Sequence, residues 1–386
     1  MFRLQPPLPD DYSRATADDL HRRVVSARSR LGRRLVILGH HYQREEGIQF
    51  ADKRGDSFGL SRFAAAQREA EFVVFCGVHF MAESADILTG PHQQVILPDL
   101  NAGCSMADMA DLDGVEQIWD ELAEVTDIEG IVPITYMNSA AALKAFVGRN
   151  SGSVCTSANA RPVLRWALGL DANGKAGASA AAPRTPSGRR RVRDKVLFFP
   201  DQHLGRNTGF QLGYDAADMQ VVDPRRRLGG LQDAEVKEAT LLLWKGHCSV
   251  HQRFQTSHVE AFRSEHPGGI VIVHPECSHE VVEIADEVGS TDYIIDAIAA
   301  APAGSVIAVG TEIHLVERLA REHPDKTVVS LDPIVCPCST MFRIDLPHLA
   351  WVLEGLLEGE VRNRIVVDEG TAADARVALE RMLAIA

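Results

Sequence analysis

The sequence predicts an α/β protein built on parallel sheets, and three observations carry that prediction. Short apolar runs such as Leu35-Val36-Ile37-Leu38 and Ile270-Val271-Ile272-Val273 recur along the chain. Runs of that kind, apolar without alternation, belong to strands buried on both faces. Each is followed by a polar loop and then a helical pattern, and strands alternating with helices make α/β layers. The chemically capable residues gather just after the strands, at the carboxyl edge where open α/β sheets bind ligands.

Residues 10–31 place acids and arginines around apolar positions and read as one amphipathic helix. The run from Arg34 to Leu38 ends in Gly39-His40-His41-Tyr42-Gln43. Gly55-Asp56-Ser57 opens a helix whose first N–H groups suit an anion. Glu71-Phe72-Val73-Val74-Phe75-Cys76 runs into Gly77-Val78-His79-Phe80 and a helix from Met81. Gln94-Val95-Ile96-Leu97 leads to Asn101-Ala102-Gly103-Cys104-Ser105-Met106. Gly130-Ile131-Val132-Pro133-Ile134 ends in Thr135-Tyr136-Met137-Asn138-Ser139, ahead of an alanine-rich helix. Ser153-Val154-Cys155 enters Thr156-Ser157-Ala158-Asn159-Ala160, a strand-to-helix turn with capping residues.

Two stretches interrupt the beat. Residues 169–188 are rich in Ala, Gly, Ser and Pro and end in Arg189-Arg190-Arg191, a flexible surface insertion with a solvated basic end. Residues 211–230 carry a second trio, Arg225-Arg226-Arg227. The beat then resumes. Lys195-Val196-Leu197-Phe198-Phe199 precedes Pro200-Asp201-Gln202-His203-Leu204-Gly205-Arg206-Asn207, and Leu241-Leu242-Leu243-Trp244 precedes Lys245-Gly246-His247-Cys248-Ser249-Val250-His251. The run to Val273 ends in His274-Pro275-Glu276-Cys277, and Gly289-Ser290-Thr291 forms a turn. Ser305 to Val309 ends in Gly310-Thr311-Glu312, and Thr327 to Leu331 delivers Val335-Cys336-Pro337-Cys338-Ser339-Thr340-Met341. Beyond Leu346 the pattern is helical, with one short strand near Arg364-Ile365-Val366-Val367.

Composition narrows the function. A chain of 386 residues exceeds one ordinary core. No run approaches the ~18 apolar residues that cross a bilayer, and residues 1–14 lack an apolar signal core, so the cytoplasm is the expected location. A formal net charge of −13 argues against nucleic acid or an anionic membrane as partner. Seven cysteines, an odd number in such a chain, do not read as a disulfide framework.

Three loops, those of Cys104, Cys248 and Cys336, each bring one cysteine from a different part of the chain. The Cys248 to Cys336 interval resembles that from Cys104 to Cys248 once the interruptions are set aside, so the chain reads as three similar α/β units. Three thiolates suit an iron–sulfur cluster with one open iron, a Lewis acid for an enzyme that removes water. The rivals at Cys336-Pro337-Cys338 are a redox pair and a zinc pair. A one-residue spacing strains a disulfide, and zinc pairs take wider spacing with a second pair elsewhere. Cys76, Cys155 and Cys277 read as small buried hydrophobes.

His40, His79, His203, His251 and His274 lie in or after strand-end loops, which points to a shared pocket. His274-Pro275-Glu276 sets an imidazole and a carboxylate on one stiffened segment, suited to acid/base work. Gly289-Ser290-Thr291 offers hydroxyls and amides to a phosphate or carboxylate. Neither a Walker motif nor GxGxxG precedes a helix, so a nucleotide cofactor has no support.

In combination, the motifs Gly39-His40-His41-Tyr42, Gly55-Asp56-Ser57, Cys104, Thr135-Tyr136-Met137-Asn138, Thr156-Ser157-Ala158-Asn159, Trp244-Lys245-Gly246-His247-Cys248, His274-Pro275-Glu276, Gly289-Ser290-Thr291 and Cys336-Pro337 closely resemble the quinolinate synthase family of de novo NAD biosynthesis. The resemblance covers nearly the whole chain outside the two interruptions. It implies three αβα domains with parallel sheets around a pseudo-threefold axis, and a central cavity holding a 4Fe–4S cluster. The corresponding domains are 1–112, completed by helices within 346–386; 113–255, with insertions near 169–194 and 211–233; and 256–345. Carried over position by position, the cluster ligands are Cys104, Cys248 and Cys336. Substrate contacts fall on His40, Tyr42, Ser57, Tyr136, Asn138, Ser157, His274, Glu276, Ser290 and Thr291, with Glu276, Tyr42 and His274 as the catalytic set. The implied reaction condenses iminoaspartate with dihydroxyacetone phosphate to quinolinate, with loss of phosphate and two waters. L-Aspartate oxidase is the implied source of the imine.

Two departures from the family pattern stand out. Phe342 follows Met341 where the family often has Asn, and Cys338 offers a second thiol beside Cys336. Cys336 is taken as the ligand because the family's proline follows it. The alternatives are another 4Fe–4S hydro-lyase acting on a hydroxy acid, or a non-enzymatic iron–sulfur sensor. A sensor has no use for converging acid/base groups.

Overall fold

The computed structural model describes residues 5–171, 195–334 and 337–385. Cys336, the arginines at 189–191 and most of the first interruption therefore lie outside the described residues. Among the described residues the fold is α/β with three sheets, and its parallel pairing is as expected.

The chain divides into two compact units. The first holds one sheet, in the order Arg364–Ile365, Gln94–Ile96, Phe72–Cys76, Leu35–His40, Lys53–Gly55. All its pairs are parallel except the short Arg364–Ile365 edge, which runs antiparallel to Gln94–Ile96. The second unit holds two fully parallel sheets. One is ordered Ser153–Cys155, Ile131–Tyr136, Lys195–Phe199, Leu241–Trp244, Met219–Val222. The other is ordered Glu287–Val288, Ile270–Val273, Val306–Gly310, Thr327–Ser330.

The central strands are buried from end to end, as their unbroken apolar character requires. Fully burying one such Val, Leu, Ile or Phe is worth about 1.5–3 kcal/mol. In the four-stranded sheet, Val271, Val273 and Ala308 pack with Phe254, Val259, Phe262 and Val281, and Cys277 belongs to this core.

Three local readings change in the structure. The single helix expected over 10–31 is two, Asp10–Ser13 and Ala17–Leu31, because Thr16 caps the second by accepting the Asp19 N–H at 3.2 Å. Residues 211–230, read as an interruption, contain the edge strand Met219–Val222, paired to Leu241–Trp244. The 346–386 segment divides. Leu346–Glu358 packs on Ala17–Leu31 in the first unit, whereas Glu369–Ile385 packs on Ala141–Arg149 in the second. Gly148 permits that last approach, since a Cβ there would lie 2.0 Å from the Asp374 carbonyl oxygen.

One local device recurs in every sheet. A central strand ends in, or is followed at once by, His or Tyr, and the strand beside it leads to a hydroxyl residue at or shortly before the next helix. His40 ends its strand beside Lys53–Gly55 and the helix from Ser57. Tyr136 ends its strand beside Ser153–Cys155, which leads to Ser157 and the helix from Ala160. His274 follows Ile270–Val273 beside Glu287–Val288, which leads to Ser290 and the helix from Thr291.

Candidate active site

Of the expected site residues, the first unit carries His40, Tyr42, Ser57 and Cys104. His40 is buried, and its Nδ1 accepts the Tyr42 N–H at 3.2 Å, while the two rings meet edge-on at 4.9 Å. Gly39 makes the tight exit possible: a Cβ there would lie 2.7 Å from Ile48 Cγ1. The buried Arg318 donates to the His41 carbonyl oxygen at 2.9 Å and fixes the loop from below. Ser57 starts its helix after Asp56, whose carboxylate accepts the Gly59 N–H at 2.6 Å. Around Phe342, the Arg44 guanidinium lies 3.5 Å from the ring centroid, and His314 stacks against the ring at 5.8 Å.

The second unit carries Tyr136, Asn138, Ser157, Cys248, His274, Glu276, Ser290 and Thr291. Glu276 is the hub. It is only 3% exposed; its Oε1 accepts the Tyr136 hydroxyl at 2.6 Å, and its Oε2 bonds His251 Nδ1 at 2.8 Å. Because His274 Nδ1 accepts the Glu276 N–H at 3.3 Å, the His274 proton sits on Nε2. The His251 and His274 rings stack at 4.5 Å. His251 Nε2 in turn meets the Thr311 hydroxyl at 3.1 Å.

Burial depresses His274 to about 3, so this imidazole is neutral. Burial pushes Glu276 upward, but the two imidazoles and the His251 and Tyr136 hydrogen bonds outweigh it and hold the carboxyl well below its ordinary range. Nearby, His203 is lowered to about 4 by burial, with His247 and Arg206 acting in the same direction.

Asn138 and Ser157 follow neighbouring strands that are tied by the Met137 N–H to the Cys155 carbonyl oxygen at 2.8 Å. Ser290 caps its helix by accepting the Tyr293 N–H at 3.3 Å, leaving the buried Thr291 at the helix start.

Cys104 and Cys248 are half-buried in loops, as is Cys338. Cys76, Cys155 and Cys277 are fully buried, and burial raises all three thiols, Cys76 to about 12. They are packed and inert, whereas half-buried loop thiols suit ligation of soft metals. The Cys248 loop is pinned by the Trp244 indole N–H to the Met109 carbonyl oxygen at 2.7 Å, and by Gly246, where a Cβ would lie 2.2 Å from the Pro200 carbonyl oxygen. Ligand atoms of Cys248, His251 and Glu276 all lie within 4.8 Å of one another, a group able to hold a metal ion. The donor chemistry fits a thiolate-ligated metal group.

Sequence reasoning placed His251 among the strand-end histidines but not in the site set. The signal was present: three residues after Cys248, at the start of a tight turn, it returns to the side of the cysteine. Asn207, Asp201 and Lys144 carried no such signal. Buried Lys144 donates to the Ser139 carbonyl oxygen and so braces the Tyr136–Ser139 loop.

A buried acid held by imidazole and phenol at parallel-strand ends, with the Cys248 loop beside it, defines an α/β enzyme with a metal-capable centre. The family model described as quinolinate synthetase A protein matches residues 23–173 and 178–384. The chain belongs to that family. It is 53% identical over 381 residues to the quinolinate synthase of Corynebacterium glutamicum, covering 99% of this chain and 91% of that protein. It is 54% identical to the quinolinate synthase of a Nocardioides species, over 98% and 92% of the two chains, and 50% identical to that of Anoxybacillus flavithermus, over 98% and 96%. Its activity is that of a quinolinate synthase, an enzyme of NAD biosynthesis acting on small molecules. Among the described residues, no helix is long and apolar enough to cross a membrane.

Proposed function

We propose that this quinolinate synthase condenses iminoaspartate with dihydroxyacetone phosphate, releasing phosphate and two waters, through a 4Fe–4S cluster held by Cys104, Cys248 and Cys336. The Glu276 network, an acid and two imidazoles gathered where the loop of one cysteine passes, supports the reading most directly. When bound, the cluster would supply an open iron acting as a Lewis acid, making water a better leaving group.

The chain's own residues do the rest. Glu276 moves protons during isomerisation and dehydration. In the resting network its two side-chain donors make it a weak base. Substrate drawing the Tyr136 hydroxyl away removes one donor and raises Glu276 toward a working range. His274 presents Nε2–H, and with Tyr42 holds substrate oxygens. Ser290 and Thr291, at a helix start of suitable polarity, seat an anionic group. His40, Ser57, Asn138 and Ser157 complete the substrate contacts. Each sheet with its helices is taken as one of three domains around a pseudo-threefold axis, a division supported by the recurring strand-end device. The enzyme is placed in the cytoplasm, with L-aspartate oxidase as the source of the imine.

The test uses anaerobically purified protein. About four iron per chain, matching sulfide, and quinolinate from the two substrates are expected. Full cluster content and activity in Cys104→Ser would remove that ligand from the assignment.

A further inference from the structure

The segment between Asp201 and Asn207 touches both chemical loops of the second unit, yet no step above uses it. Asn207, in the helix Gln202–Gln211, is 1% exposed. Its Nδ2 donates to two carbonyl oxygens of the His274–Cys277 turn, those of Pro275 and Cys277, each at 2.9 Å. Its Oδ1 meets His279 Nδ1 at 3.1 Å, and the His279 ring is stacked on Phe210 at 3.8 Å. Two converging carbonyls admit only the NH2 side of the amide, so its orientation is set by chemistry.

We propose that Asn207 is a positioning residue for Glu276 and His274. The Pro275 carbonyl and the Glu276 N–H belong to one rigid peptide plane. Asn207 holds the oxygen edge of that plane, and His274 Nδ1 accepts from its N–H edge at 3.3 Å. Fixed at both edges, the plane cannot rotate. It therefore sets the Cα of Glu276, on which the carboxylate's reach to Tyr136 and His251 depends. It also keeps His274 Nδ1 an acceptor, which leaves the proton on Nε2. The turn is closed independently by the Cys277 N–H to the His274 carbonyl oxygen at 3.0 Å, so losing Asn207 leaves the turn closed but free to tilt. A helix on the neighbouring sheet thus aims the acid, and misplacement by an ångström costs about a hundredfold in rate.

This inference rests on the roles proposed for Glu276 and His274, and Glu276→Gln separates the two. If Glu276→Gln keeps its rate, those roles fail; if it loses its rate while the Asn207 variant keeps it, only the present inference fails. Asn207→Asp is nearly isosteric and lacks the paired donors. Its kcat is expected to fall at least about tenfold, with KM within about threefold, with iron content unchanged and the protein still folded at the assay temperature. In metal-free protein, amide exchange at residues 276–278 is expected to quicken, a readout independent of turnover. An unchanged kcat, or a loss that merely follows iron content or the fraction unfolded at the assay temperature, overturns the proposal. Should Asn207→Asp not fold, His279→Phe decides. It keeps the stack on Phe210 but frees Asn207 Oδ1, and kcat is expected to fall about threefold. Full activity there overturns the proposal equally.

Discussion

Asp201 and Glu276 are both carboxylic acids sealed inside the second unit, at 0% and 3% exposure, and the protein treats them oppositely. Glu276 is held in its charged form by a phenol, an imidazole hydrogen bond and a second imidazole alongside. Asp201 is pushed well above the ordinary carboxylate range by burial first and then by the Glu276 charge, against backbone N–H groups of Leu204, His203 and Cys248. Its Oδ1 caps the helix by accepting the Leu204 N–H at 2.7 Å, while its Oδ2 is enclosed with no hydrogen-bond partner among the described residues. Burial favours the neutral carboxyl, while hydrogen-bond donors and nearby cations favour the charged one. The acid held low has the side-chain partners for proton chemistry, and the acid pushed up holds a helix start beside the Cys248 loop.

The largest effect that follows is on Glu276→Gln, which keeps the shape and removes the proton acceptor. Quinolinate formation is expected to drop by about 10²–10⁴-fold with melting little changed. A variant retaining half the parent rate would erase the distinction between the two acids. Tyr136→Phe comes next, with kcat down roughly tenfold, since a donor to a buried carboxylate is lost. With that lowering influence gone, the Glu276 pKa rises, so the acid limb of the kcat/KM profile should move to higher pH. A limb that stays put would show that Tyr136 does not hold the charge.

Asp201 should behave in the opposite sense. Asp201→Asn mimics the neutral acid and is expected to melt within a degree or two of the parent, whereas Asp201→Ala removes the cap and costs about 1 kcal/mol or more. Equal losses in the two variants would mean that Asp201 is ionised.

The smallest effect is a pH slope. His274 is depressed to about 3, so its neutral-state stability is complete above the unfolded value near 6.5 and is lost as pH falls toward 3. Glu276, also lowered, adds stability that is present above the usual carboxylate pKa and lost on further acidification. Asp201, raised, has the reverse sign: its contribution is full in acid and declines as pH climbs through its folded value. Between pH 7 and 4.5, denaturant midpoints of metal-free His274→Gln should therefore fall less steeply with acidification than those of the parent. Identical slopes would detach His274 from the acid response.

The α/β class, the central strand positions and the helix opening at Gly55-Asp56-Ser57 were legible, because each depends on neighbours a few residues away, whereas Gly289-Ser290-Thr291 was legible as a turn and not as the helix start it is. His274-Pro275-Glu276 and Cys248 were legible as chemistry for the same reason. The break at Thr16 and the edge strand Met219–Val222 were not. Periodicity runs straight through the one, and the other's pairing strand follows only after an intervening loop and helix.

From its residues alone, the chain determined which side chains could act and which strand ends would present them, since local pattern and covalent order suffice for both. Only the tertiary structure decided what each one is in the folded protein. Glu276 is held below the ordinary carboxylate range because Tyr136 and His251 arrive from elsewhere in the chain, and Asp201 is pushed above it because packing buries it beside the Glu276 charge. The energy of a buried charge depends on its partners in space, and those are set when sheets and helices pack.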